Sequence, residues 1–292
     1  MKLLPPAFLF LIGLSLTGLA APAAAKVHSN IQYAASPAQQ LDIYAPETPS
    51  ASLRPVFVYV HGGGWSKGDR TRVGRKPEWL SAMDFILVSV EYRLMPAARH
   101  PAAAADLAAA LAWIEANIAD FGGDPNTLFL IGHSTGGHMV SLVATDERLL
   151  ARHQLTPSFI RGVICLDTNA FDLERLIHLL SAQNRQLYLD VFGSDPSAWR
   201  DASPAHHVAS GLTTPPFLLL VAGVGESSHY LNSLFARRLE AAGVDVTLLV
   251  FPAQTHGSIN AGLGGAAHPP TSSIERFARR LLESAPLQSV PR

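Results

Sequence analysis

The sequence predicts an α/β fold, with a mostly parallel central sheet and helices on both of its faces. First, apolar strand-like runs alternate with helix-like segments along the chain, which is the pattern of a parallel sheet joined by helices. Second, the chain has no internal repeat and no low-complexity linker beyond its Ala-rich N-terminus, which favours a single domain. Third, its 292 residues are 48% hydrophobic and 15% charged, enough to bury a substantial core.

Proline and glycine residues mark the limits of several predicted elements. Pro55 precedes a β-branched and aromatic run, Pro101 precedes an Ala- and Leu-rich helix, and Gly243 is a good C-cap. Strands are predicted over 56–60, 85–90, 128–131, 161–166, 217–222 and 246–251. Helices are predicted over 102–118, 136–144, 231–242 and 272–283, with a turn over 122–125.

The segment from 172 to 207 is the least regular part of the sequence. In a parallel α/β sheet, such an insertion lies above the carboxyl ends of the strands, where ligands bind. We therefore expect it to form a lid or a pocket wall within a catalytic domain that spans residues 26–292.

The N-terminus has the pattern of a cleaved secretory signal peptide over residues 1–25. Lys2 supplies a positive start, an apolar stretch follows over 7–16, and Ala23–Ala25 offer a small-residue cleavage site. An uncleaved membrane anchor is the alternative, but the apolar stretch is short against the roughly 20 residues that a span requires. We therefore expect a protein exported to the periplasm or secreted, with no stable membrane span after cleavage.

Charge and cysteine content disfavour several classes of protein. A formal net charge of −1, without runs of like charge, offers nucleic acid no basic surface. Cys165 is the only cysteine, so no intramolecular disulfide can form, and its apolar neighbours favour a buried, inert thiol. His206 and His207 lack carboxylate or thiolate neighbours at ligand spacing, so no metal site is predicted. No cofactor is implied either.

The segment Gly132-His133-Ser134-Thr135-Gly136 carries the strongest chemical signal in the chain. It is a G-x-S-x-G pattern between a predicted strand and a predicted helix, the setting that places a serine on a sharp, exposed turn. The glycines permit that turn without Cβ clashes, and the N-terminus of the following helix favours developing negative charge. The pattern predicts Ser134 as a nucleophile, with a glycine-rich structural turn as the alternative.

A second glycine-rich segment, His61-Gly62-Gly63-Gly64-Trp65, directly follows the predicted strand 56–60. Its glycines expose backbone N–H groups, and two or three such donors stabilise the oxyanion that forms during acyl transfer. No Lys-Ser or Lys-Thr pair follows the glycines, which disfavours a phosphate-binding loop. We expect His61 to hold the loop by hydrogen bonds, and Trp65 to line the substrate pocket.

With these two motifs, the chain resembles the hormone-sensitive-lipase branch of the α/β-hydrolase esterases, and also the related arylformamidase-type enzymes. The resemblance runs from Leu41 to the end of the chain. It includes the segments Glu91-Tyr92-Arg93-Leu94, Phe121-Gly122-Gly123-Asp124-Pro125, Ser203-Pro204 and Thr255-His256-Gly257. It implies an oxyanion hole made of the N–H groups of Gly63, Gly64 and Thr135.

The catalytic base is expected after the last strands, because the chain order in this class is Ser, acid, His. His256 follows the predicted strand 246–251 by a short loop, which is where the resembling family has its base. His133, next to the nucleophile, is expected to shape the substrate pocket. The other histidines that compete for the role of base include His138, His206, His207 and His268.

The acid that orients the base is expected in the loop after the predicted strand 217–222. Glu226 is the only carboxylate in that loop, from Gly223 to Ser228, where the resembling family more often has Asp. A glutamate can orient an imidazole and stabilise the imidazolium as aspartate does. Glu226 is therefore the predicted acid, with an exposed surface glutamate as the alternative.

Together these residues predict hydrolysis of small to medium carboxylic esters through an acyl-enzyme, with a small-molecule ester as the expected partner. Three alternatives stay open. The first is an arylformamidase-like amide hydrolase that uses the same triad. The second is an acyltransferase that excludes water from the acyl-enzyme, and the third is a non-catalytic binding protein on a hydrolase fold.

Overall fold

The computed structural model describes residues 25–284, and a mixed sheet of eight strands forms the centre of this part of the chain. The strands are β1 (Ala25–Gln32), β2 (Gln40–Pro46), β3 (Arg54–Val60), β4 (Ile86–Val90), β5 (Gly123–His133), β6 (Ile160–Leu166), β7 (Phe217–Ala222) and β8 (Val246–Phe251). They lie in the order β1-β2-β4-β3-β5-β6-β7-β8. β1 and β2 are antiparallel additions at one edge, and every pair from β4 to β8 is parallel.

Helices connect the strands and cover the sheet. They are α1 (Lys76–Ala82), α2 (Ala102–Asn117), α3 (Thr135–Thr145), α4 (Glu147–Ala151), α5 (Leu173–Leu179), α6 (Ala182–Phe192), α7 (Pro196–Asp201), α8 (Pro204–His207), α9 (Glu226–Ala241), α10 (Ser258–Ala261) and α11 (Pro269–Glu283). Short 3₁₀ turns occur at Ile118–Phe121 and Pro157–Phe159.

The central strands of the sheet are buried on both faces, and successive residues of a strand point to opposite sides. Val56, Val58 and Val60 of β3 belong to a core shared with α2, α3 and α9. Phe57 and Tyr59 belong to a second core, shared with α1 and α11. Each of these five side chains is at most 1% exposed. This two-sided burial explains why β3 is a continuous apolar run rather than an alternating one.

The predicted fold class is confirmed, and β7 and β8 have their predicted limits. The predicted turn over 122–125 is only partly right. Gly122 does turn, with a φ of 82°, but β5 already begins at Gly123, which pairs with Arg54. A Cβ on Gly123 would lie 2.5 Å from the side chain of Ile118, so close packing is a second reason for glycine there.

The segment 172–207 is helical rather than irregular, which corrects the prediction. It forms α5 to α8, and side chains that accept a backbone N–H cap three of these helices. The capping residues are Asp172, Ser181 and Asp195, types that favour helix starts. These helices are short, so they carry too few apolar repeats for a periodic pattern to stand out.

The predicted signal peptide lies outside the described residues, apart from Ala25, the first residue of β1. Within residues 25–284, the stretch Ala102–Phe121 is long and apolar enough, by length and composition, to cross a membrane. It is half buried, and its helix α2 packs against α3 and β5. A core helix of a domain packs in this way, and this burial accounts for the apolar composition of the stretch.

Candidate active site

Four parallel strands end at the predicted site. β3 leads into the glycine-rich segment His61–Trp65, called here the glycine loop, and β5 leads into Ser134. β6 ends between β5 and β7, and β8 leads to the loop that carries His256. Because the carboxyl ends of parallel strands share one edge of a sheet, these loops meet there.

Ser134 lies on a sharp turn between β5 and α3. Its φ of 54° and ψ of −118° are strained for a residue with a side chain. A Cβ on Gly132 would lie 2.3 Å from the backbone of Gly136, and a Cβ on Gly136 would lie 2.1 Å from Val60 O. Both positions therefore require glycine, and the close approach of the turn to β3 explains the G-x-S-x-G pattern.

The glycine loop after β3 lies directly against this turn. A Cβ on Gly62 would lie 3.0 Å from the Cβ of Ser134. Gly63 and Gly64 have positive φ values of 135° and 63°. Among the described residues, no backbone carbonyl accepts the N–H of Gly63 or Gly64. The N–H of Thr135, in the first turn of α3, has no acceptor within its helix.

His61 holds the glycine loop through hydrogen bonds and ring stacking, as expected. Its Nε2 lies 2.8 Å from Oε1 of Glu91, and its Nδ1 lies 2.9 Å from the carbonyl oxygen of Gly62. The ring stacks on Tyr92 at a centroid distance of 4.5 Å. The hydroxyl of Tyr92 donates to the carbonyl oxygen of His61 at 3.0 Å. Glu91 and Tyr92, which belong to the segment Glu91-Tyr92-Arg93-Leu94 of the family resemblance, thus support the loop.

His256 follows β8 and is paired with the carboxylate of Asp167. Its Nδ1 lies 2.6 Å from Oδ2 of Asp167, whose side chain is 12% exposed against 58% for His256. Asp167 follows β6 directly with a φ of 47°, and its Oδ1 accepts the N–H of Ala222 at 2.9 Å. A carboxylate at Nδ1 selects the tautomer that carries hydrogen there, which leaves Nε2 able to accept a proton.

Glu226 does not pair with His256, so the predicted acid is wrong. The carboxylate on the imidazole is that of Asp167. Glu226 is exposed and is the first residue of α9, which begins there rather than at residue 231. A carboxylate in the first turn of a helix is favourable for the helix dipole, which is a structural role.

One sequence feature marks Asp167 as a candidate acid, although not as the partner of His256. It comes directly after the predicted strand 161–166, and in the sheet Leu166 of β6 lies opposite His133 of β5. A carboxylate at the end of the strand beside the nucleophile strand keeps the chain order of Ser, acid, His. The resemblance points instead to the loop after β7, whereas Asp167 follows β6 and bonds to Leu220 and Ala222 of β7.

The side chain of His133, the residue before Ser134, connects the turn of Ser134 to His256. The two rings have a centroid distance of 4.6 Å, and Nε2 of His133 lies 2.7 Å from the carbonyl oxygen of His256. Among the described residues, no hydrogen bond joins Ser134 Oγ to His256. Hydrogen bonds between a nucleophile and its base are often long in the absence of substrate, so this geometry is compatible with the predicted roles of the two residues.

Helix α6 forms a wall beside the glycine loop. Leu187 of α6 covers Gly64, where an added Cβ would lie 3.3 Å from its side chain. The rings of Tyr188 and Phe192 contact that of Trp65 at centroid distances of 5.7 and 5.0 Å. Trp65 is only 4% exposed, whereas Leu187 is 39% exposed. Of these two side chains, Leu187 is therefore the one that faces solvent beside the loop, whereas Trp65, which the sequence predicts to line the pocket, is buried.

A small cavity lies beside Trp65 and is also lined by His100, His138 and Val191. Its volume of about 10 Å³ is room for about one water molecule. Nε2 of His138 lies 2.8 Å from the carbonyl oxygen of Ala202, whereas Nδ1 has no partner among the described residues. Burial lowers the pKa of His138 from its ordinary 6.5 to about 4.

We expect His138 to make the stability of the fold depend on pH. Because its folded pKa is lowered, the unfolded chain binds more protons between pH 4 and 6.5. Its contribution to stability is thus complete above the unfolded pKa and is lost as the pH falls toward 4. Between pH 7 and pH 5 this histidine should remove about 2 kcal/mol from the free energy of unfolding.

Denaturant titrations at the two pH values measure this effect. The His138→Gln variant keeps an N–H donor but cannot titrate, so its free energy of unfolding should fall less with acid than that of the wild type. His153→Gln, at an exposed position, is the matched control and should follow the wild type. An equal acid dependence in His138→Gln and the wild type would contradict the prediction.

The cysteine has no part in this chemistry. Cys165 is buried, its Sγ lies 3.1 Å from the hydroxyl of Ser141, and burial raises its pKa to about 12. It is the inert thiol that its apolar neighbours predicted. Within residues 25–284, no group of three or more His, Cys, Asp or Glu side chains is arranged to hold a metal ion.

Two curated relatives resemble this chain. Carboxylesterase NlhH of Mycobacterium tuberculosis is 32% identical over 241 residues, which is 76% of this chain and 71% of NlhH. Esterase LipC of the same organism is 30% identical over 202 residues, which is 65% of this chain and 49% of LipC. The chain thus matches about half the length of LipC and a larger share of NlhH.

The fold has a counterpart among solved structures. The crystal structure of inhibited esterase B from Lactobacillus rhamnosis superposes with a TM-score of 0.74, covering 89% of this chain and 88% of that chain at 21% identity. A likeness at this identity shows the fold. The family model described as BD-FAE matches residues 41–226, a span that contains the glycine loop, Ser134 and Asp167. Because this match covers more than half of the chain, and NlhH resembles it over most of its length, the chain belongs to the BD-FAE family and has the α/β-hydrolase fold.

Proposed function

We propose that the protein is a serine carboxylesterase that hydrolyses small to medium esters through an acyl-enzyme. The observation that carries the proposal is the pair of Asp167 and His256, 2.6 Å apart, beside the strained turn of Ser134. A paired carboxylate and imidazole next to a hydroxyl serve to activate that hydroxyl as a nucleophile. The names of two relatives support the proposal, since NlhH is a carboxylesterase and LipC an esterase.

The first half of the reaction forms the acyl-enzyme. Ser134 Oγ attacks the ester carbonyl carbon, and its proton passes to Nε2 of His256. Asp167 holds Nδ1–H and stabilises the imidazolium. The N–H groups of Gly63, Gly64 and Thr135 donate to the oxyanion, and removal of one such donor typically costs about 10²–10³ in rate.

The second half of the reaction releases the acid. The imidazolium of His256 gives its proton to the alkoxide, and the alcohol leaves with both electrons of the broken C–O bond. Water then attacks the acyl carbon, and its proton passes to the same Nε2. Collapse of the second tetrahedral intermediate frees the carboxylic acid and returns the proton to Ser134 Oγ.

A substrate panel tests this proposal. The panel contains p-nitrophenyl esters of graded acyl length and an N-formyl aromatic amide, with and without an added alcohol as acceptor. We expect the highest kcat/KM on short and medium acyl chains, free acid as the product, and labelling of Ser134 by a fluorophosphonate. We infer that helices α5 to α8 form the wall of the pocket. The rate should therefore fall once the acyl chain is long enough to meet Leu187 of α6.

Each other outcome of the panel rejects the proposal in favour of another function. A higher kcat/KM on the formamide than on every ester would make the protein an amide hydrolase. Ester transfer to the alcohol in place of hydrolysis would make it an acyltransferase. Absence of both turnover and fluorophosphonate labelling would make it a binding protein on a hydrolase fold.

We also infer that the protein is exported to the periplasm or secreted, with residues 1–25 removed. The apolar stretch over 7–16 and the small residues Ala23–Ala25 support this inference. Cleavage there would leave β1 with the pairing of Lys26 to Ala45 at its start. N-terminal sequencing of the exported protein is the measurement, and a chain that keeps Met1 would contradict cleavage.

A further inference from the structure

His133 lies where three parts of the site meet. It is the last residue of β5 and directly precedes Ser134. Its Nε2 is 2.7 Å from the backbone carbonyl oxygen of His256, and the two rings are in contact at a centroid distance of 4.6 Å. Its other nitrogen faces the glycine loop, since a Cβ on Gly62 would lie 3.0 Å from Nδ1. The imidazole of His133 therefore lies against the turn of Ser134, the loop that carries His256 and the glycine loop.

The contacts of His133 decide which of its nitrogens carries hydrogen. A carbonyl oxygen only accepts, so Nε2 must be the donor to His256. Burial, with His256 as the next cause, lowers the pKa of His133 from 6.5 to about 4. The ring is therefore neutral above that pH, with its single hydrogen committed to the carbonyl. A neutral ring also adds no positive charge beside the imidazolium that forms on His256.

His256 needs a second point of attachment. Its side chain is 58% exposed and is held at Nδ1 by Asp167. One hydrogen bond fixes the direction of Nδ1–H, and the ring of His133 packs against the imidazole. The bond from His133 to the carbonyl oxygen of His256 holds the main chain of the same residue. A displacement of 1 Å in a reacting group costs on the order of 10² in rate.

We propose that His133 is a positioning residue, which ties the backbone of His256 to the nucleophile turn and so keeps the base within reach of Ser134 Oγ. The role rests on the proposed ester hydrolysis, because it assigns His256 as the base. It differs from a place in the substrate pocket, since the ring is committed to the protein's own backbone. His133 itself touches no reacting atom in this role.

Two substitutions separate the hydrogen bond from the ring. His133→Phe keeps an aromatic ring but removes the donor, whereas His133→Gln removes the ring but keeps an N–H at the reach of Nε2. We expect His133→Phe to lower kcat about 10–100-fold, with KM unchanged. His133→Gln should recover most of the wild-type kcat. Titration of active sites with a fluorophosphonate gives the rate per competent site, so a loss of folded protein does not count as a loss of kcat.

A matched control removes a similar bond elsewhere. Nε2 of His207 lies 2.7 Å from the carbonyl oxygen of Asp201, so His207→Phe deletes an imidazole-to-carbonyl bond of the same length. This variant should keep the wild-type kcat per site. If His133→Phe does not fold, His133→Asn replaces it, because its shorter amide cannot reach the carbonyl of His256. His133→Asn should then be slow and His133→Gln fast.

The outcomes separate this role from the proposed function. A wild-type kcat per site in His133→Phe, or an equal loss in His133→Phe and His133→Gln, would overturn the positioning role. Ester hydrolysis would still stand in that case if the wild type is active and Ser134→Ala is not. A wild type inactive on every ester would overturn the proposed function and the positioning role with it.

Discussion

Replacement of Ser134 by alanine is expected to lower kcat on p-nitrophenyl esters by about 10⁴–10⁶, the range seen when one member of a comparable triad is removed. The methyl group has no lone pair to attack the carbonyl, and no proton for His256 to accept. The strained turn persists because Gly132 and Gly136 set it. The free energy of unfolding should therefore change little, and fluorophosphonate labelling should disappear.

A double variant makes this prediction sharper. If Ser134 and His256 act as one unit, Ser134→Ala combined with His256→Ala should be no slower than either single variant, because the second change removes nothing that still functions. Ser52→Ala, at an exposed position, is the control and should keep the wild-type kcat. Multiplicative losses in the double variant would mean that the two residues act independently, against the mechanism proposed.

The second large effect distinguishes the two candidate acids. Asp167→Asn should lower kcat by about 10⁴, the loss found when the carboxylate of such a triad becomes an amide. The amide can still accept the N–H of Ala222, but its NH₂ group then faces Nδ1 of His256. Nδ1 must accept that hydrogen, so Nε2 carries the imidazole proton and cannot take one from Ser134.

Glu226→Gln is the matched control for this change. It makes the same carboxylate-to-amide replacement at the exposed start of α9, and it should keep the wild-type kcat. Both variants are measured on one ester, with rates given per titrated site. A large loss in Glu226→Gln with a small one in Asp167→Asn would restore the acid that the sequence suggested and contradict the geometry found here.

Local sequence patterns predicted those parts of the protein whose geometry is set by neighbouring residues. The turn at Ser134 is an example, since its glycines are required by contacts within a few residues and with β3. The strand runs are another example, because β3 is apolar from Pro55 to Val60, where both of its faces are buried. The loop of His256 follows a strand whose limits the sequence predicted correctly.

Other features had too weak a local signal to be predicted. The resemblance predicts an acid after β7, because it gives the position of a residue only as far as this chain agrees with the family. The segment 172–207 shows no apolar periodicity, because α5 to α8 are too short for one, although capping residues such as Asp172 and Ser181 are present. The helical setting of Glu226 has a different cause, because α9 begins with the polar residues Glu226 to His229, ahead of its first buried apolar residue, Leu231.

Residue types alone predict the α/β class, the sharp turn at Ser134, the glycine loop and the loop of His256, because short-range sterics and two-sided burial leave direct marks on residue type. The pairing of Asp167 with His256, and the bond from His133 to the backbone of that residue, form only when the strands are assembled. Both contacts depend on the strand order, which sets β6 between β5 and β7 and brings residues far apart in the chain to one edge of the sheet. Contacts between such distant residues are set by how the strands assemble, and no local pattern encodes them.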